Sequence, residues 1–145
     1  EIAGTAKRAA LRLVREHGLA PDDVIIDVSI SALIADTAGM NREALAAIGL
    51  IGSDPELKGI HICGGLSNIA QQLPPKAADG SDLKLQLECA FLTLARPLGM
   101  DTVLATPWRA FQMLPEDNYV LGVFNQVLQA SGTDVLRQVR KLYRR

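Results

Sequence analysis

The sequence predicts an α/β fold built around a parallel sheet. A β-branched run at Val24–Val28 and short strand-like segments at Gly59–Cys63 and Thr102–Ala105 alternate with longer stretches whose apolar residues recur at spacings of three and four. Glycine or proline marks most of the junctions. The chain has 145 residues, 48% of them hydrophobic, which is enough for one ordinary domain with a sizeable core. One domain spanning residues 1–145 is therefore expected, with elements in the order helix, strand, helix, strand, helix, strand, helix, helix.

The first helix, Thr5 to His17, places Ala6, Ala9, Ala10, Leu13 and Val14 on one face and most of its basic residues elsewhere. Gly18 can take the left-handed conformation that stops it, and Pro21 prevents its resumption. Val24–Val28 follows as a strand of the kind found where helices cover a parallel sheet, and Asp27 is the polar exception in it. Asn41 is placed to cap a helix running through Ala44, Ala47 and Ile48 to Ile51, which Gly52-Ser53-Asp54-Pro55 ends.

After the strand Gly59–Cys63 comes Gly64-Gly65-Leu66-Ser67-Asn68 and a long loop reaching Gly80, with prolines unsuited to a helix interior. Ser81 or Asp82 can cap the next helix, which carries Leu83, Leu87, Ala90, Phe91 and Leu94 and stops at Pro97 and Gly99. Thr102–Ala105 gives the third strand, and Pro107 to Pro115 is a connection. Asn118–Ala130 and Thr133–Tyr143 are closing helices. Three strands are too few to close a barrel, since a complete (β/α)₈ barrel takes about 250 residues; a small open sheet is the other arrangement available to the same pattern.

Composition excludes several classes. With 15 basic and 16 acidic residues the net charge is -1, so no global field favours nucleic acid or an anionic membrane. No apolar run reaches the roughly 20 residues that span a bilayer, and the N-terminal residues lack a signal-peptide layout, so a cytoplasmic protein is expected. Cys63 and Cys89 are not spaced as a metal clip, His17 ends a helix and His61 lies inside a strand, so no His/Cys or carboxylate cluster suggests a metal and no protein-bound metal is expected. The cysteines read as buried and inert.

In parallel α/β folds, ligands meet the C-terminal ends of the strands. Asp27 comes late in one strand, and Asn68 lies just beyond the next, after two glycines that would admit a ligand close to the backbone. A strand-end aspartate also serves as a cap or turn residue, and Gly-Gly-Leu-Ser-Asn also suits a tight turn, so spacing leaves both roles open.

Gly65-Leu66-Ser67-Asn68-Ile69, followed by Leu73-Pro74, then Phe91-Leu92 and Gly99-Met100-Asp101, resembles the seventh strand, loop and helix of the folate-binding barrels of cobalamin-dependent methionine synthase and the methyltetrahydrofolate:corrinoid methyltransferases. Asp27 is similar to that family's sixth-strand aspartate, and Thr106-Pro107 sits where the family leaves its eighth strand. The resemblance implies the C-terminal three βα units of a (β/α)₈ barrel, completed by residues not in this chain, through a homo-oligomer or a second chain. It implies methyltetrahydrofolate, or a related pterin, as methyl donor and the cobalt of a corrinoid on a partner protein as acceptor. Asn68 would hydrogen-bond nitrogen-5 of the pterin and Asp27 would accept from its ring N–H and amino groups. Gln71 would assist the asparagine, and Ser67 belongs to the same binding motif.

The chain departs from the family at Ala70-Gln71-Gln72-Leu73-Pro74-Pro75-Lys76, where many members continue with a Ser-Phe-Gly-like segment and carry an arginine near the following helix, and Lys76 is the available substitute. A non-catalytic pterin-binding or assembly subunit of a split barrel is the alternative from another class. Dihydropteroate synthase shares the barrel but carries a Ser-Arg-Lys-like motif where this chain has Ser67-Asn68-Ile69. Among the remaining features, Trp108 is expected to pack on the barrel rim beside Arg109, with a corrinoid or substrate contact as the other reading. His61 is expected to point inward as a satisfied core histidine. The basic C-terminus (Arg137, Arg140, Lys141, Arg144 and Arg145) reads as a solvated helix face.

Overall fold

The computed structural model describes residues 1–144 and has a mixed α/β architecture, mostly helical, around a small parallel sheet. Helix α1 (Ile2–His17) is followed by strand β1 (Ile25–Asp27), helix α2 (Met40–Gly52), strand β2 (His61–Cys63), and helices α3 (Leu83–Ala95), α4 (Tyr119–Gln129) and α5 (Thr133–Lys141). Gly18 ends α1 at φ 71°, as its freedom from a Cβ predicts. Asp82 and Asn118 cap α3 and α4 by accepting from the Leu85 and Leu121 N–H groups.

Strands β1 and β2 are parallel neighbours, with Ile25 opposite His61, Ile26 opposite Ile62 and Asp27 opposite Cys63. Hydrogen bonding extends beyond them, since His61 donates to Val24 and Val28 donates to Cys63. Gly59, at φ 93°, belongs to the turn before β2 and not to the strand.

The expected third strand is absent. Residues 102–105 run beside β2 and donate to it from Thr102 N to Ile62 O at 3.1 Å and from Leu104 N to Gly64 O at 3.4 Å. No return bond from β2 completes the parallel ladder. On that side of β2 the Ile62 N–H donates to the Asp101 carboxylate at 3.0 Å and not to a backbone carbonyl, and Val103 and Leu104 are exposed. A strand with one half-ladder and no neighbour lacks the cross-strand packing that holds strand geometry.

The core lies on the helical side of the sheet. Phe91 of α3 and Phe124 of α4 are fully buried with ring centroids 6.4 Å apart, joined by Leu33, Ile48, Ile62, Leu66, Leu83 and Leu87. Gly52 closes α2 against the turn after α3: a Cβ there would lie 2.2 Å from the Leu98 carbonyl oxygen. The other edge of β1 has no strand partner, and Ile25 is 58% exposed. Along it runs an apolar groove of about 950 Å³ between α1 and α2, lined by Ile2, Ala6, Leu13, Met40 and Leu50.

Three expectations are corrected here. Asn41 does not cap α2. It sits buried in the first turn, while Asp36 supplies the carboxylate that accepts from the Met40 and Asn41 N–H groups. Trp108 does not pack on a rim, because 82% of it is exposed. His61 is not a core residue. Its ring is one-third exposed at the N-terminal side of β2, with Nδ1 2.7 Å from Asp101 Oδ2 and Nε2 3.0 Å from Asp22 Oδ1. Of the basic C-terminal residues, Arg137 pairs with Asp134 on the exposed face of α5, Tyr143 falls beyond that helix, and Arg145 lies outside the described residues.

The His61 bridge yields a pH prediction. Hydrogen bonds to Asp101 and then Asp22 raise the imidazole pKa above its ordinary value. A group whose folded pKa is raised contributes its full stability below the unfolded pKa, about 6.5, and loses it as pH rises through the folded value. Denaturation of wild type and His61→Gln should therefore differ most near pH 5.5 and converge towards pH 9. A difference that grows with pH would contradict the bridge.

Candidate functional site

A cavity of about 390 Å³ opens at the C-terminal ends of β1 and β2, and Asp27, Ser67 and Asn68 all line it. Two sequence-predicted positions from successive βα units thus meet at one place. Asp27 is the last residue of β1, and its exposed carboxylate accepts no hydrogen bond and forms no ion pair among the described residues.

The segment after β2 is not wholly irregular. Leu66–Ala70 forms a 3₁₀ turn whose Leu66, Ile69 and Ala70 are buried, and it packs against α3. Burying positions three apart leaves Ser67 and Asn68 on the opposite, exposed side. Gln72, just past the turn, sits at φ 63°, a left-handed conformation that costs a non-glycine residue on the order of 1 kcal/mol.

The two glycines divide their work. A Cβ on Gly64 would lie 2.7 Å from Ile30 Cδ1 and 3.2 Å from Met100 Cε, so the protein's own side chains occupy that space. Gly65 has only Asn68 Nδ2 nearby, at 3.6 Å from an added Cβ, and lines the cavity. Of the two glycines, Gly65 is the one with free space on the cavity.

Gln71 does not line the cavity, but it acts on a residue that does. Its Nε2 donates to Asn68 Oδ1 at 2.9 Å. With its oxygen engaged, Asn68 presents its amide nitrogen, which donates to no protein group among the described residues. The site therefore offers a carboxylate acceptor on β1 and an amide donor beyond β2.

The loop between β1 and α2, which supplies Val28, Ser29 and Ile30 to the cavity, is held by Asn41. Ser31 N donates to Asn41 Oδ1 at 3.0 Å, and Asn41 Nδ2 donates to Ser31 O at 2.9 Å. Asp36 anchors Asn41 in turn through its N–H at 2.9 Å. Both side chains are buried, and this latch has no periodic signature; only the two polar residues around the start of α2 hint at it.

Two further lining residues escaped the sequence reading as a pair. Glu88 of α3 is only 5% exposed, and its Oε2 accepts from Arg109 Nε at 3.2 Å and Nη2 at 2.8 Å. Arg109, from the connection after residue 105, is the cation among the lining residues. Lys76, the substitute expected for the family's arginine, lies elsewhere, beside Leu73, Tyr143 and Arg144.

Cys63 sits opposite Asp27 in the sheet, and both cysteines are buried. Burial, and then the nearby Asp27 charge, push the Cys63 thiol pKa up; burial does the same at Cys89. Neither is activated as a nucleophile. Among the described residues no group of three or more His, Cys, Asp and Glu side chains is placed to hold a metal ion, and no helix is long and apolar enough to cross a membrane.

Chemically, the cavity can orient a flat polar heterocycle by accepting from its N–H groups at Asp27 and donating to a ring nitrogen or oxygen from Asn68. Compared with known proteins, the chain matches no protein-family model and no curated protein.

Proposed function

We propose that this cavity holds the pterin of methyltetrahydrofolate, or a related pterin, and presents its methyl group to the cobalt of a corrinoid carried by a partner protein. The observation that carries the reading is the presence on one cavity of an unpartnered Asp27 carboxylate and an Asn68 amide whose oxygen is taken by Gln71, which leaves its nitrogen as the available donor. Asp27 accepts from the ring N–H and the exocyclic amino group and fixes the ring's orientation. Ser67, on the same exposed side as Asn68, adds a hydroxyl.

Asn68 acts at nitrogen-5. As the methyl group leaves, the electrons of the C–N bond stay on that nitrogen, and a donor there stabilises the charge that develops. A contact that strengthens in this way lowers the barrier more than it tightens ground-state binding. The reduced cobalt of the partner's corrinoid supplies the nucleophile.

In this reading the chain forms the C-terminal three βα units of a pterin-binding (β/α)₈ barrel. The unpaired edge of β1, its apolar groove and the half-ladder at residues 102–105 support completion by further strands, from a second copy or another chain. The acidic and amide ligands that the family draws from earlier strands would come with them, and a non-catalytic assembly subunit would share the same edge.

Binding titrations of methyltetrahydrofolate test the site. Asp27→Asn removes a charged acceptor already engaged in the ground state, so binding should weaken by about 1 to 3 kcal/mol. Unchanged affinity would mean that Asp27 only ends its strand.

A further inference from the structure

We propose that Arg109, positioned by Glu88, is the residue through which the cavity recognises a carboxylate on its ligand. The inference rests on the pterin reading of the same cavity and adds the ligand class: pterins conjugated to a carboxylate-bearing tail, in preference to bare pterins.

A guanidinium carries five N–H donors in a planar fork. Glu88 Oε2 takes two of them, from Nε and Nη2, which occupies the side edge of the fork. The end edge, made of Nη1 and the remaining Nη2 hydrogen, donates to no protein group among the described residues, and Arg109 lines the cavity. Glu88 belongs to the buried part of α3, so the core itself fixes the guanidinium plane.

Two parallel donors on a fixed edge match the two oxygens of a carboxylate. The Glu88–Arg109 pair is formally neutral and the Asp27 carboxylate lines the same cavity, so an incoming anion gains no net charge attraction there and is held only by the oriented donor edge. Such an edge favours a planar, bidentate acceptor over a loosely held inorganic ion. Lys76 cannot share the task from its separate groove.

The test uses calorimetric titration of the full chain with three probes: 5-methyltetrahydrofolate, 5-methyltetrahydropterin without a tail, and p-aminobenzoylglutamate. Removing Arg109 alone strands a buried carboxylate, so the variant is Glu88→Gln combined with Arg109→Gln, which keeps a hydrogen-bonded pair without charges. Folate and p-aminobenzoylglutamate should lose about 10- to 50-fold in affinity, as expected for a charged hydrogen-bonded contact, while the tail-less pterin changes by less than about twofold. Arg109→Lys retains the charge and the Glu88 partner but not the fork, and should restore only part of the loss if the double variant proves unstable.

Equal losses for tail-bearing and tail-less ligands, or no loss for any, would overturn the assignment. A wild type that binds the tail-less pterin as tightly as folate would also overturn it and leave the pterin reading standing. Binding of p-aminobenzoylglutamate that depends on Arg109, without any pterin binding, would support the carboxylate site and defeat the pterin reading. Binding of none of the three probes would defeat both.

Discussion

Asn68→Ala is expected to slow single-turnover methyl transfer by about 10²- to 10³-fold, the effect typical of removing one preorganised donor from a developing charge. Methyltetrahydrofolate affinity should fall far less. The asymmetry follows from the timing of the proposed contact: on this reading Asn68 would donate weakly to nitrogen-5 in the ground state and strongly once the C–N bond is breaking. The orientation of the amide matters as much as its presence, and Gln71 sets it by donating to Asn68 Oδ1. Rapid-mixing measurement of the transfer step in the completed barrel, alongside equilibrium binding, separates the two effects. Equal losses in rate and affinity would make Asn68 a binding residue only.

Arg109→Ala should destabilise the fold by about 3 to 5 kcal/mol, because it leaves the Glu88 carboxylate in the core without its partner. The large value reflects the unpaired charge and not the worth of the ion pair. Replacing both residues by glutamine should therefore cost much less than the sum of the single changes. Urea denaturation at pH 7 of the single and double variants checks this. An Arg109→Ala midpoint close to wild type would mean that Glu88 finds water or another donor.

The helices were legible because local chemistry dictates them, and so were two of their ends: Gly18 stops α1 and Asp82 caps α3, each through bonds within a few residues. The start of α1 at Ile2, the Asp36 carboxylate at the start of α2 and the Asn118 cap of α4 were not read. The pairing of β1 with β2 was legible from their strand-like runs. The third strand was misread because its run of Thr102–Ala105 has strand composition, whereas the Ile62 N–H on that side of β2 is taken by the Asp101 side chain, which the local sequence does not reveal. Asp27 and Asn68 were singled out because ligands of parallel α/β folds meet the strand ends, and Ser67 through the resemblance; all three line one cavity.

Glu88 was invisible for a different reason. Helix α3 is buried on several sides, with Leu83, Leu87, Glu88, Cys89, Ala90 and Phe91 all enclosed, so its period does not single out the face that meets the cavity. Its partner lies 21 residues away in an irregular connection, where no periodicity operates. His61 looked like a core residue because it follows Ile60 and precedes Ile62. Only the fold brings Asp22 and Asp101 to its ring.

The central claim is that the cavity between Asp27 and Asn68 receives a pterin, and heteronuclear NMR of the labelled chain during titration with 5-methyltetrahydrofolate tests it most directly, since it detects even millimolar affinity. The account predicts saturable shifts in the backbone amides of Asp27, Ser67 and Asn68, with the Asn68 side-chain amide moving most. Spectra that do not change, or shifts confined to the groove between α1 and α2, would contradict it.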